Sequence, residues 1–372
     1  MRERERQETS PLLVHVFPSF ARGGQQMRLA SLVRGLEGAF RHRIVSLDGD
    51  TSAADAFPAG SIEVERFAAR KSPGLSPSTI RGLARRISGA DVLCTYNFGA
   101  LEAAIANRVG PKLPHIHFED GFGPDEALSR QKLKRVFLRR AVLGKSLVVV
   151  PSRGLERLAV ETWRLKRANV RRIVNGVDVA RFAGAPRRRE AGTPVIVGSL
   201  GALRPEKNYA RLIRAFEAAV SGAAARLVIY GEGPEREALS ALAARTSGAV
   251  ELRGETRTPE AAYTELDIFA LSSDTEQAPL SLMEAMAAGL PAAATDVGDV
   301  RGMVAEENRE FVTAPGDEDA LAGALARLIG DADLRARLSA ANAEKARGDF
   351  GLERMIADYR ALFLEALRRG AP

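Results

Sequence analysis

Apolar and polar residues follow two different periods along this chain. Short, mostly apolar runs are separated by longer segments in which apolar residues recur every three or four positions, which predicts buried strands and amphipathic helices in alternation. In the first half the predicted strands are 12–17, 42–47, 91–96, 115–118 and 147–151. In the second half they are 194–200, 225–231, 250–254, 268–272, 291–295 and 311–313. The pattern predicts an α/β protein with doubly wound, Rossmann-like parallel sheets.

The two groups of strands predict two domains. A chain of 372 residues is long enough for them, and a stretch with glycine, proline and a run of arginines lies between the groups, as expected of a linker. We predict a first domain over 1–178, a linker over 179–192 and a second domain over 193–348. The tail, 349–372, carries one long helical pattern.

Charge and cysteine content constrain the partners and the compartment. The formal net charge is +7 and the pI about 9.8, which favours nucleotides, anionic lipids or nucleic acid as partners. The single cysteine, Cys94, excludes an intrachain disulfide and indicates a reducing compartment. The first ten residues do not resemble a signal peptide, and no run reaches the ~18 apolar residues of a membrane span. We expect a cytoplasmic protein, soluble or attached peripherally to the inner face of the membrane.

The most informative segment is 275–291, which reads TEQAPLSLMEAMAAGLP. Pro279 suits the first turn of a helix and Gly289 its end, so a helix of roughly ten residues is predicted. Glu276 then lies on the loop before the helix and Glu284 on its second turn. The first backbone N–H groups of such a helix attract an anion. Two carboxylates beside a bound phosphate can accept hydrogen bonds from sugar hydroxyls, which suits a nucleotide-sugar site.

Other candidates follow predicted strands, at the edge where such sheets bind ligands. Gly23 and Gly24 follow the first strand and would let the backbone approach a phosphate or a sugar closely. Arg204 and Lys207 follow the first strand of the second domain and can hold a diphosphate, the arginine through its planar fork and the lysine as a point charge. Gly231 lies in the glycine-rich turn after the next strand. Each of these signals also fits an ordinary surface loop.

The fourth strand and the turn after it contain two further candidates, whose side chains could point into a cleft between the domains. His117 lies in the strand and Asp120 just beyond it, within the sequence HIHFEDG. Asp120 is nearer the strand end and better placed to face a ligand. His115 and His15 are interpreted as packed residues of the core, and His117 fits either interpretation.

A basic segment without acidic residues extends from Ala127 to Leu155. Its residues Leu133, Val136, Phe137 and Ala141 fall near one helical face. A basic amphipathic helix can lie on anionic lipid, each cation contributing about 1 kcal/mol, so 128–145 is a candidate membrane-binding segment. The alternative is a helix packed on its own sheet with a solvated basic face. Nucleic acid fits poorly, because aromatic residues do not interleave with the charge.

The pair Asp48 and Asp50, around Gly49, is a weaker metal signal. Paired aspartates can bind a divalent ion that carries a diphosphate, but Asp-Gly after a strand is commonly only a turn. We expect no metal ion and no cofactor other than the co-substrate.

Taken together, these residues resemble the retaining glycosyltransferases of family four, which have the two-domain GT-B architecture. The most specific part is 275–300, which resembles the paired-glutamate motif of the family. The sequences FARGGQQ, IVNGVD (173–178) and LRPEKN (203–208) are also similar to family motifs. The resemblance covers nearly the whole chain, and it implies two facing domains with a C-terminal helix that crosses back onto the first.

The resemblance also implies roles for the candidates. Glu284 would bind the ribose hydroxyls of the nucleotide, and Glu276 would contact hydroxyls of the donor sugar. Gly23 and Gly24 would approach the donor phosphates or the acceptor. The backbone from Ala278 to Leu282 would face the diphosphate. The N–H groups available there are those of Ala278, Leu280, Ser281 and Leu282, because Pro279 has none.

The chain departs from the family pattern at three positions. Ala202 stands where the family often has arginine, and Arg204 is the nearest replacement. The family often carries a histidine just before a glycine after the fourth strand. If the sequences are aligned on Gly121, Asp120 stands at that position, and if they are aligned on the strand, His117 is the nearer match. Gln277 stands where the family often has glycine.

The resemblance implies transfer of a hexose from a UDP- or GDP-linked donor to a glycan or lipid-linked acceptor, with the anomeric configuration retained and without a metal. Cell-envelope or exopolysaccharide synthesis is the setting that the basic segment favours. Two alternatives stay open at this point: a nucleotide-sugar epimerase of the same architecture, and a non-catalytic nucleotide-binding partner in a polysaccharide assembly complex.

Overall fold

The computed structural model describes residues 10–67, 76–122, 126, 130–184, 192–220, 222–246 and 249–370. They form two compact units. One consists of the described residues up to Val174 together with those from Glu353 onward, and the other of Asn175–Leu352. The division lies between Val174 and Asn175, so the sequence NGVD at 175–178 belongs to the second unit. Part of the predicted linker, 185–191, lies outside the described residues.

Thirteen strands occur within the described residues. They are β1 Leu12–Phe17, β2 Arg41–Ser46, β3 Ile62–Arg66, β4 Val92–Tyr96, β5 His115–Phe118, β6 Leu147–Val150, β7 Val170–Arg172, β8 Val195–Leu200, β9 Ala225–Tyr230, β10 Ala249–Arg253, β11 Ile268–Leu271, β12 Ala292–Thr295 and β13 Val312–Thr313.

Fourteen α-helices occur within the same residues, with several short 3₁₀ turns between them. They are α1 Gly24–Gly35, α2 Pro77–Ile87, α3 Leu101–Val109, α4 Leu133–Leu143, α5 Arg153–Glu161, α6 Val179–Phe182, α7 Tyr209–Ala219, α8 Arg236–Ala243, α9 Pro259–Thr264, α10 Leu280–Ala287, α11 Val300–Met303, α12 Glu318–Gly330, α13 Ala332–Asp349 and α14 Leu352–Gly370. None of these helices combines the length and the apolar character that a membrane span requires.

Both sheets are parallel and doubly wound. The first has the order β3-β2-β1-β4-β5-β6-β7 and the second the order β10-β9-β8-β11-β12-β13. Each sheet reverses its winding once, between β1 and β4 in the first and between β8 and β11 in the second. Ligands of such sheets bind beyond the carboxyl ends of the strands at this switch point. The predicted fold class is confirmed.

The C-terminal helix packs in the first unit, as the resemblance implied. The ring of Tyr359 stacks on that of Phe118 at a centroid distance of 5.8 Å, and Phe363 meets Phe40 edge-on at 5.4 Å. Tyr359 and Phe363 are both buried. The helix therefore covers one face of the first sheet with the apolar positions of its periodic pattern.

Two strands lack a counterpart in the predicted set. They are β3 and β7, which form the two edges of the first sheet. The sequence of β3 is IEVER, with exposed Glu63 and Val64, and β7 has only three residues. Edge strands are often short and charged, so they lack the apolar run that marks a buried strand.

Candidate functional site

At the switch point of the second unit, the loop after β8 is bonded to the loop after β11. The hydroxyl of Ser272 donates to the carbonyl of Lys207 at 2.9 Å, and the backbone N–H of Asp274 donates to the carbonyl of Glu206 at 2.8 Å. Asn208 adopts the left-handed conformation with φ +46° and caps α7 through its side chain. These bonds hold the two loops together at one edge of the sheet, although more than sixty residues separate them in the sequence.

Glu276 lies on this edge with its carboxylate held from two sides. Its Oε1 pairs with the ammonium of Lys207 and accepts a hydrogen bond from the hydroxyl of Ser273 at 2.9 Å. Both members of the ion pair remain partly exposed. The structure thus brings together two predicted candidates, one carboxylate and one cation, at a position that a ligand can reach.

The loop around Glu276 is supported from below by close backbone contacts. Gly298 has φ +59°, and a Cβ there would lie 2.4 Å from the carbonyl oxygen of Glu276. The side-chain amide of Asn175 donates to the carbonyl of Ala278 at 3.2 Å. Only glycine fits at position 298, because any side chain would push the loop away.

Helix α10 begins directly after this loop and presents an uncapped N-terminus. Pro279 occupies the N-cap position, one residue before the predicted first turn, and no side chain caps the helix there. The N–H groups of its first turn, from Leu280 to Leu282, have no i−4 carbonyl within the helix. They form a partial positive charge about one turn from Glu276, which is the arrangement expected for an anion site.

Glu284 lies on the second turn of α10, as predicted, and is half-buried. The phenol oxygen of Tyr263 lies 2.9 Å from its Oε2 and 3.0 Å from the carbonyl of Ser281. Burial raises the pKa of Glu284 to about 7, while the hydrogen bond from Tyr263 and the charge of Arg181 oppose this rise. At neutral pH this carboxyl group is therefore protonated more readily than that of an exposed glutamate.

Arg204 and Gly231 also lie at the carboxyl edge of the second sheet. Arg204 is exposed, and no carboxylate within the described part of the chain pairs with it. Gly231 touches the loop after β8: a Cβ there would lie 1.9 Å from the carbonyl oxygen of Gly201. Packing between two loops is thus sufficient to explain the glycine at position 231, whatever its role in binding.

In the first unit, the candidates gather after β1, β4 and β5. Gly23 caps α1 without a side-chain bond, and Gly24 is its first residue. The carboxylate of Asp120 accepts from the side-chain amide of Gln25 and forms a bidentate ion pair with Arg28, whose side chain is almost fully buried. The backbone N–H of Asp120 donates to Asn97 at 3.0 Å. Asp120 is therefore fixed at the switch point but already neutralised by Arg28.

His117 lies inside the sheet rather than at its edge. It is fully buried, its Nδ1 is 2.8 Å from the hydroxyl of Thr95, and its Nε2 is 3.5 Å from Glu119. The ring faces α4, where Arg139 bonds Glu119 at 3.0 Å. Burial favours a structural role for His117, and Asp120 is the better placed of the two. His15 is also packed in the core, as predicted, whereas His115 at the start of β5 is only half-buried and bonds Thr95 and Ser146.

The apolar face predicted for the basic segment is largely turned to solvent, and of its four residues only Val136 is partly buried. Leu133 and Phe137 are 84% and 72% exposed, and Ala141 is also exposed. Val142, Leu143 and the whole side chain of Arg139 are buried instead. Residues 127–129 of the segment lie outside the described residues.

Asp48 and Asp50, the weaker metal candidates, accept hydrogen bonds within the turn that they form. Oδ1 of Asp48 accepts from the backbone N–H of Asp50 at 2.9 Å and from the hydroxyl of Ser46 at 3.0 Å. Asp50 accepts from the N–H of Ser52 at 2.8 Å. These are the hydrogen bonds of an Asx turn, which accounts for both residues.

Several residues of the site were missed by the sequence analysis. Tyr263, Asn175 and Ser273 contact the predicted residues, yet Tyr263 is 21 positions and Asn175 103 positions away from its partner. Ser273 could have been found, because it follows a strand directly before the glutamate motif. Asn175 lies within IVNGVD, which the resemblance had singled out without giving it a contact.

Two family profiles match most of the chain. The profile described as Glycosyl transferase 4-like domain matches residues 23–176. The profile described as Glycosyl transferases group 1 matches residues 185–345. The first match ends at the boundary between the two units, and the second covers the loops and the helix of the paired glutamates.

Two curated proteins show the same relationship at the level of sequence identity. The chain is 36% identical over 167 residues to the GDP-mannose-dependent alpha-mannosyltransferase of Mycobacterium tuberculosis, a match that covers 43% of each chain. It is 32% identical over 181 residues to the phosphatidyl-myo-inositol mannosyltransferase of Mycolicibacterium smegmatis, with 46% of each chain covered. The match thus spans less than half the length of these relatives.

The likeness in fold to a solved structure extends over nearly the whole chain. The crystal structure of Anabaena Alr3699/HepE in complex with UDP-glucose superposes with a TM-score of 0.77 at 16% identity, covering 94% of this chain and 99% of that one. At this identity the likeness concerns the fold alone. Together with the two profiles, it shows that the chain belongs to the family 4 glycosyltransferases and has their GT-B fold.

Proposed function

We propose that this protein transfers a hexose from a nucleotide-diphosphate sugar to a hydroxyl of a glycan or lipid-linked acceptor, with retention of the anomeric configuration. The observation that carries the proposal is the arrangement around α10. Glu276 and Glu284 lie before and within a helix whose N-terminus is uncapped, and each carboxylate is held by a neighbouring side chain.

The donor would be bound by groups of different chemistry along this edge. Ribose hydroxyls would donate to the carboxylate of Glu284, and hydroxyls of the donor sugar to that of Glu276. The diphosphate would accept from the N–H groups of the first turn of α10 and face the cations of Lys207 and Arg204. These positive groups can balance the diphosphate without a metal ion.

The chemistry consists of one substitution at the anomeric carbon. The bond from that carbon to the phosphate oxygen breaks, and a bond to the acceptor oxygen forms on the same face. The acceptor proton passes to an oxygen of the departing nucleoside diphosphate, so no side-chain nucleophile is needed. The protein stabilises the charge that develops on the diphosphate, and the loss of one such donor typically costs ~3 kcal/mol, about a hundredfold in rate.

The acceptor would be held by the switch point of the first sheet. Asp120, Gln25 and Asn97 form a polar cluster there, next to the glycine turn of Gly23 and Gly24. Such groups recognise hydroxyls through hydrogen bonds. Because His117 is buried, we assign a direct contact with the acceptor to Asp120 and a structural role to His117.

An anionic membrane surface is a further proposed partner, through α4. Leu133 and Phe137 project one helical turn apart, beside the exposed cations Lys134 and Arg140. Apolar side chains that enter the interface beside cations that meet anionic head groups are characteristic of peripheral helices. This surface would suit a lipid-linked acceptor in cell-envelope or exopolysaccharide synthesis.

Sedimentation with vesicles tests the membrane partner. We expect binding to vesicles that contain phosphatidylglycerol, and loss of that binding in Leu133→Ser/Phe137→Ser. The control is Leu364→Ser, which changes an exposed apolar residue of α14. Equal sedimentation of all three proteins would refute α4 as the contact.

Product analysis tests the reaction itself. The protein is incubated with UDP- and GDP-sugars, with and without EDTA, in the presence of glycan and lipid-linked acceptors. We expect release of nucleoside diphosphate coupled to a new glycosidic bond, and near-complete loss of transfer in Glu284→Ala and Lys207→Ala while both variants remain folded. A donor converted to its epimer without an acceptor would favour the epimerase, and donor binding without turnover the non-catalytic partner.

A further inference from the structure

The first unit contains a cavity of about 670 Å³ at the edge opposite its candidate site. The cavity lies at the amino ends of β5 and β6, whereas Asn97 and Asp120 follow the carboxyl ends of β4 and β5. Its walls are the turn between α3 and β5, the start of β6 and the last turn of α14. Its volume lies within the range of small-molecule sites.

The walls of this cavity are strongly basic. Arg108, Lys112, Lys145 and Arg369 line it, and among the residues that the structure describes no aspartate or glutamate does. Arg369 pairs with Glu365 at 2.7 Å, but no carboxylate in the described part of the chain pairs with the other three cations. The C-terminal ends of α3 and α14 point here, and each contributes a partial charge of only about −0.5. These helix ends therefore cannot neutralise the cluster.

The floor of the cavity is polar and already ordered. Nδ1 of His115 is 2.7 Å from the hydroxyl of Ser146, and Nε2 is 2.8 Å from that of Thr95. Burial lowers the pKa of His115, and the nearby His117 and Arg108 lower it further. The imidazole is therefore neutral while the cavity is empty, and an anion bound beside it would raise its pKa.

The wall that carries Lys112 is fixed in place. Both polar atoms of the Asn107 side chain bond the backbone of Leu113, at 2.9 and 2.8 Å. Lys112 is held in the left-handed conformation with φ +58°, which costs of order 1 kcal/mol for a residue with a side chain. On the other side, Gly370 packs so closely on Pro114 that a Cβ would lie 2.2 Å from the proline ring. The backbone that carries Lys112 is thus held in place at the wall of the cavity, while the side chains of Arg108, Lys112 and Lys145 are exposed and can reach a ligand there.

We infer that this cavity is a second binding site, distinct from the proposed donor site, for a small molecule that carries a phosphate monoester or a diphosphate. Three cations without carboxylate partners, around a polar and ordered floor, match the charge and hydrogen-bonding capacity of such a group. A free phosphate ester and a phospholipid head group share this chemistry.

Calorimetric titration with inorganic diphosphate tests the site in the full-length protein. The titration uses a Lys207→Ala background, which removes the proposed donor-site cation. We expect Lys112→Asn/Lys145→Gln to weaken binding by about tenfold for each cation removed, because charge-assisted hydrogen bonds have this strength. Asparagine tolerates the left-handed backbone at position 112. The control, Lys166→Gln, changes an exposed cation of the same unit outside the cavity and leaves binding unchanged.

A local signal distinguishes this site from any other. His115 is one of only four histidines in the chain, so its imidazole resonances can be assigned by NMR. Diphosphate should raise the pKa of His115 in the Lys207→Ala protein and leave it unchanged when Lys112 and Lys145 are also replaced. Free diphosphate is not a ligand of the cavity if it leaves the pKa of His115 unchanged, or if it binds equally well with and without Lys112 and Lys145. The inference is then overturned unless vesicles bind through the same two lysines.

Vesicles separate the two sources of the phosphate group. The protein carrying Leu133→Ser/Phe137→Ser is sedimented with phosphatidylcholine vesicles, with and without phosphatidic acid. Binding that requires phosphatidic acid and is lost in Lys112→Asn/Lys145→Gln assigns a lipid head group to the cavity. Binding of free diphosphate alone assigns a soluble phosphate ester. If neither binds through these lysines, the cavity is not a phosphate site.

Discussion

The phenol of Tyr263 lies 2.9 Å from the carboxylate of Glu284, and both belong to the second unit. Burial, and then the charge of Glu284, raises the pKa of Tyr263 well above its usual range, so the phenol keeps its proton and acts as the donor. A half-buried carboxylate is costly to the fold unless it is paired or hydrogen-bonded. The hydrogen bond holds Glu284 in place, but its pKa still rises to about 7.

Stability should therefore depend on the pH through Glu284. Its pKa is 4.5 when exposed and about 7 in the fold, so the folded state binds more protons between these values. The carboxyl group favours folding below pH 4.5, and this contribution is lost as the pH rises through 7. Glu284→Gln should be more stable than the wild type at pH 8 by at most about 3 kcal/mol, because water still reaches the half-buried group, and this gain should shrink towards pH 5.

Urea unfolding at pH 5 and pH 8 measures this difference. If the free energies of unfolding of the two proteins differed by the same amount at both pH values, the carboxyl group would not titrate in this range. Reduced transfer activity in the more stable variant would show that the fold retains the carboxylate for its function at the expense of stability.

Donor binding should show the opposite dependence on pH. The proposed ribose contact needs the ionised form of Glu284, so donor affinity should fall as the pH decreases below about 7. Tyr263→Phe removes a hydrogen bond that lowers this pKa, and it should move the midpoint of binding to higher pH. Calorimetric titration of a nucleoside diphosphate from pH 5.5 to 8.5, a range chosen to span roughly the titration of a carboxyl group near 7, measures the midpoint.

Tyr96→Phe is the control, because it removes a buried phenol from the first unit. Its hydroxyl bonds His15 at 2.9 Å and does not contact Glu284. A midpoint that moves equally in both variants would contradict a specific role for Tyr263.

The residues of the site could be predicted from the sequence where their role depends on local structure. Glu276 and Glu284 lie on the loop and the second turn as expected, since proline and glycine mark the bounds of α10. Tyr263 and Asn175 could not be predicted, because their contacts depend on how α9 and the segment after β7 pack. The burial of His117 also depends on its neighbours in the sheet, which one sequence does not reveal.

The strands of the fold could be predicted from their apolar runs. Only the edge strands β3 and β7 were missed, because their polar sequences lack such a run.

The loop of Glu276 should be sensitive to a single methyl group. In Gly298→Ala, the Cβ would lie 2.4 Å from the carbonyl oxygen of Glu276 and 2.6 Å from that of Gln277, on a backbone with φ +59°. The loop must move, so we expect a loss of about 2 kcal/mol of stability and at least about a tenfold loss of transfer.

Gly289→Ala provides the matched control. Gly289 also has a positive φ, +72°, but no atom lies within 4 Å of the position of its Cβ. This variant should lose about 1 kcal/mol of stability and retain its activity per folded molecule. Equal losses of activity in the two variants would mean that backbone strain, rather than displacement of Glu276, is the cause.

Asp120 and His117 should separate into a functional and a structural residue. Asp120→Asn removes the partner of a nearly buried Arg28, so a loss of about 3 kcal/mol of stability is expected together with a higher KM for the acceptor. His117→Gln should reduce stability alone, because the ring is fully buried and contacts Thr95 and Glu119. Steady-state kinetics per folded enzyme would contradict the assignment if His117→Gln raised the KM for the acceptor while Asp120→Asn left it unchanged.

The most direct test of the central claim is a thermal-shift screen of UDP- and GDP-sugars on the wild type and on Glu284→Ala, each with and without EDTA. The proposed site predicts that at least one donor class raises the Tm of the wild type, equally in EDTA, and that this shift disappears in Glu284→Ala. A shift that persists in Glu284→Ala would contradict the site, and a shift that vanishes in EDTA would contradict binding of the diphosphate by Lys207, Arg204 and α10 without a metal ion.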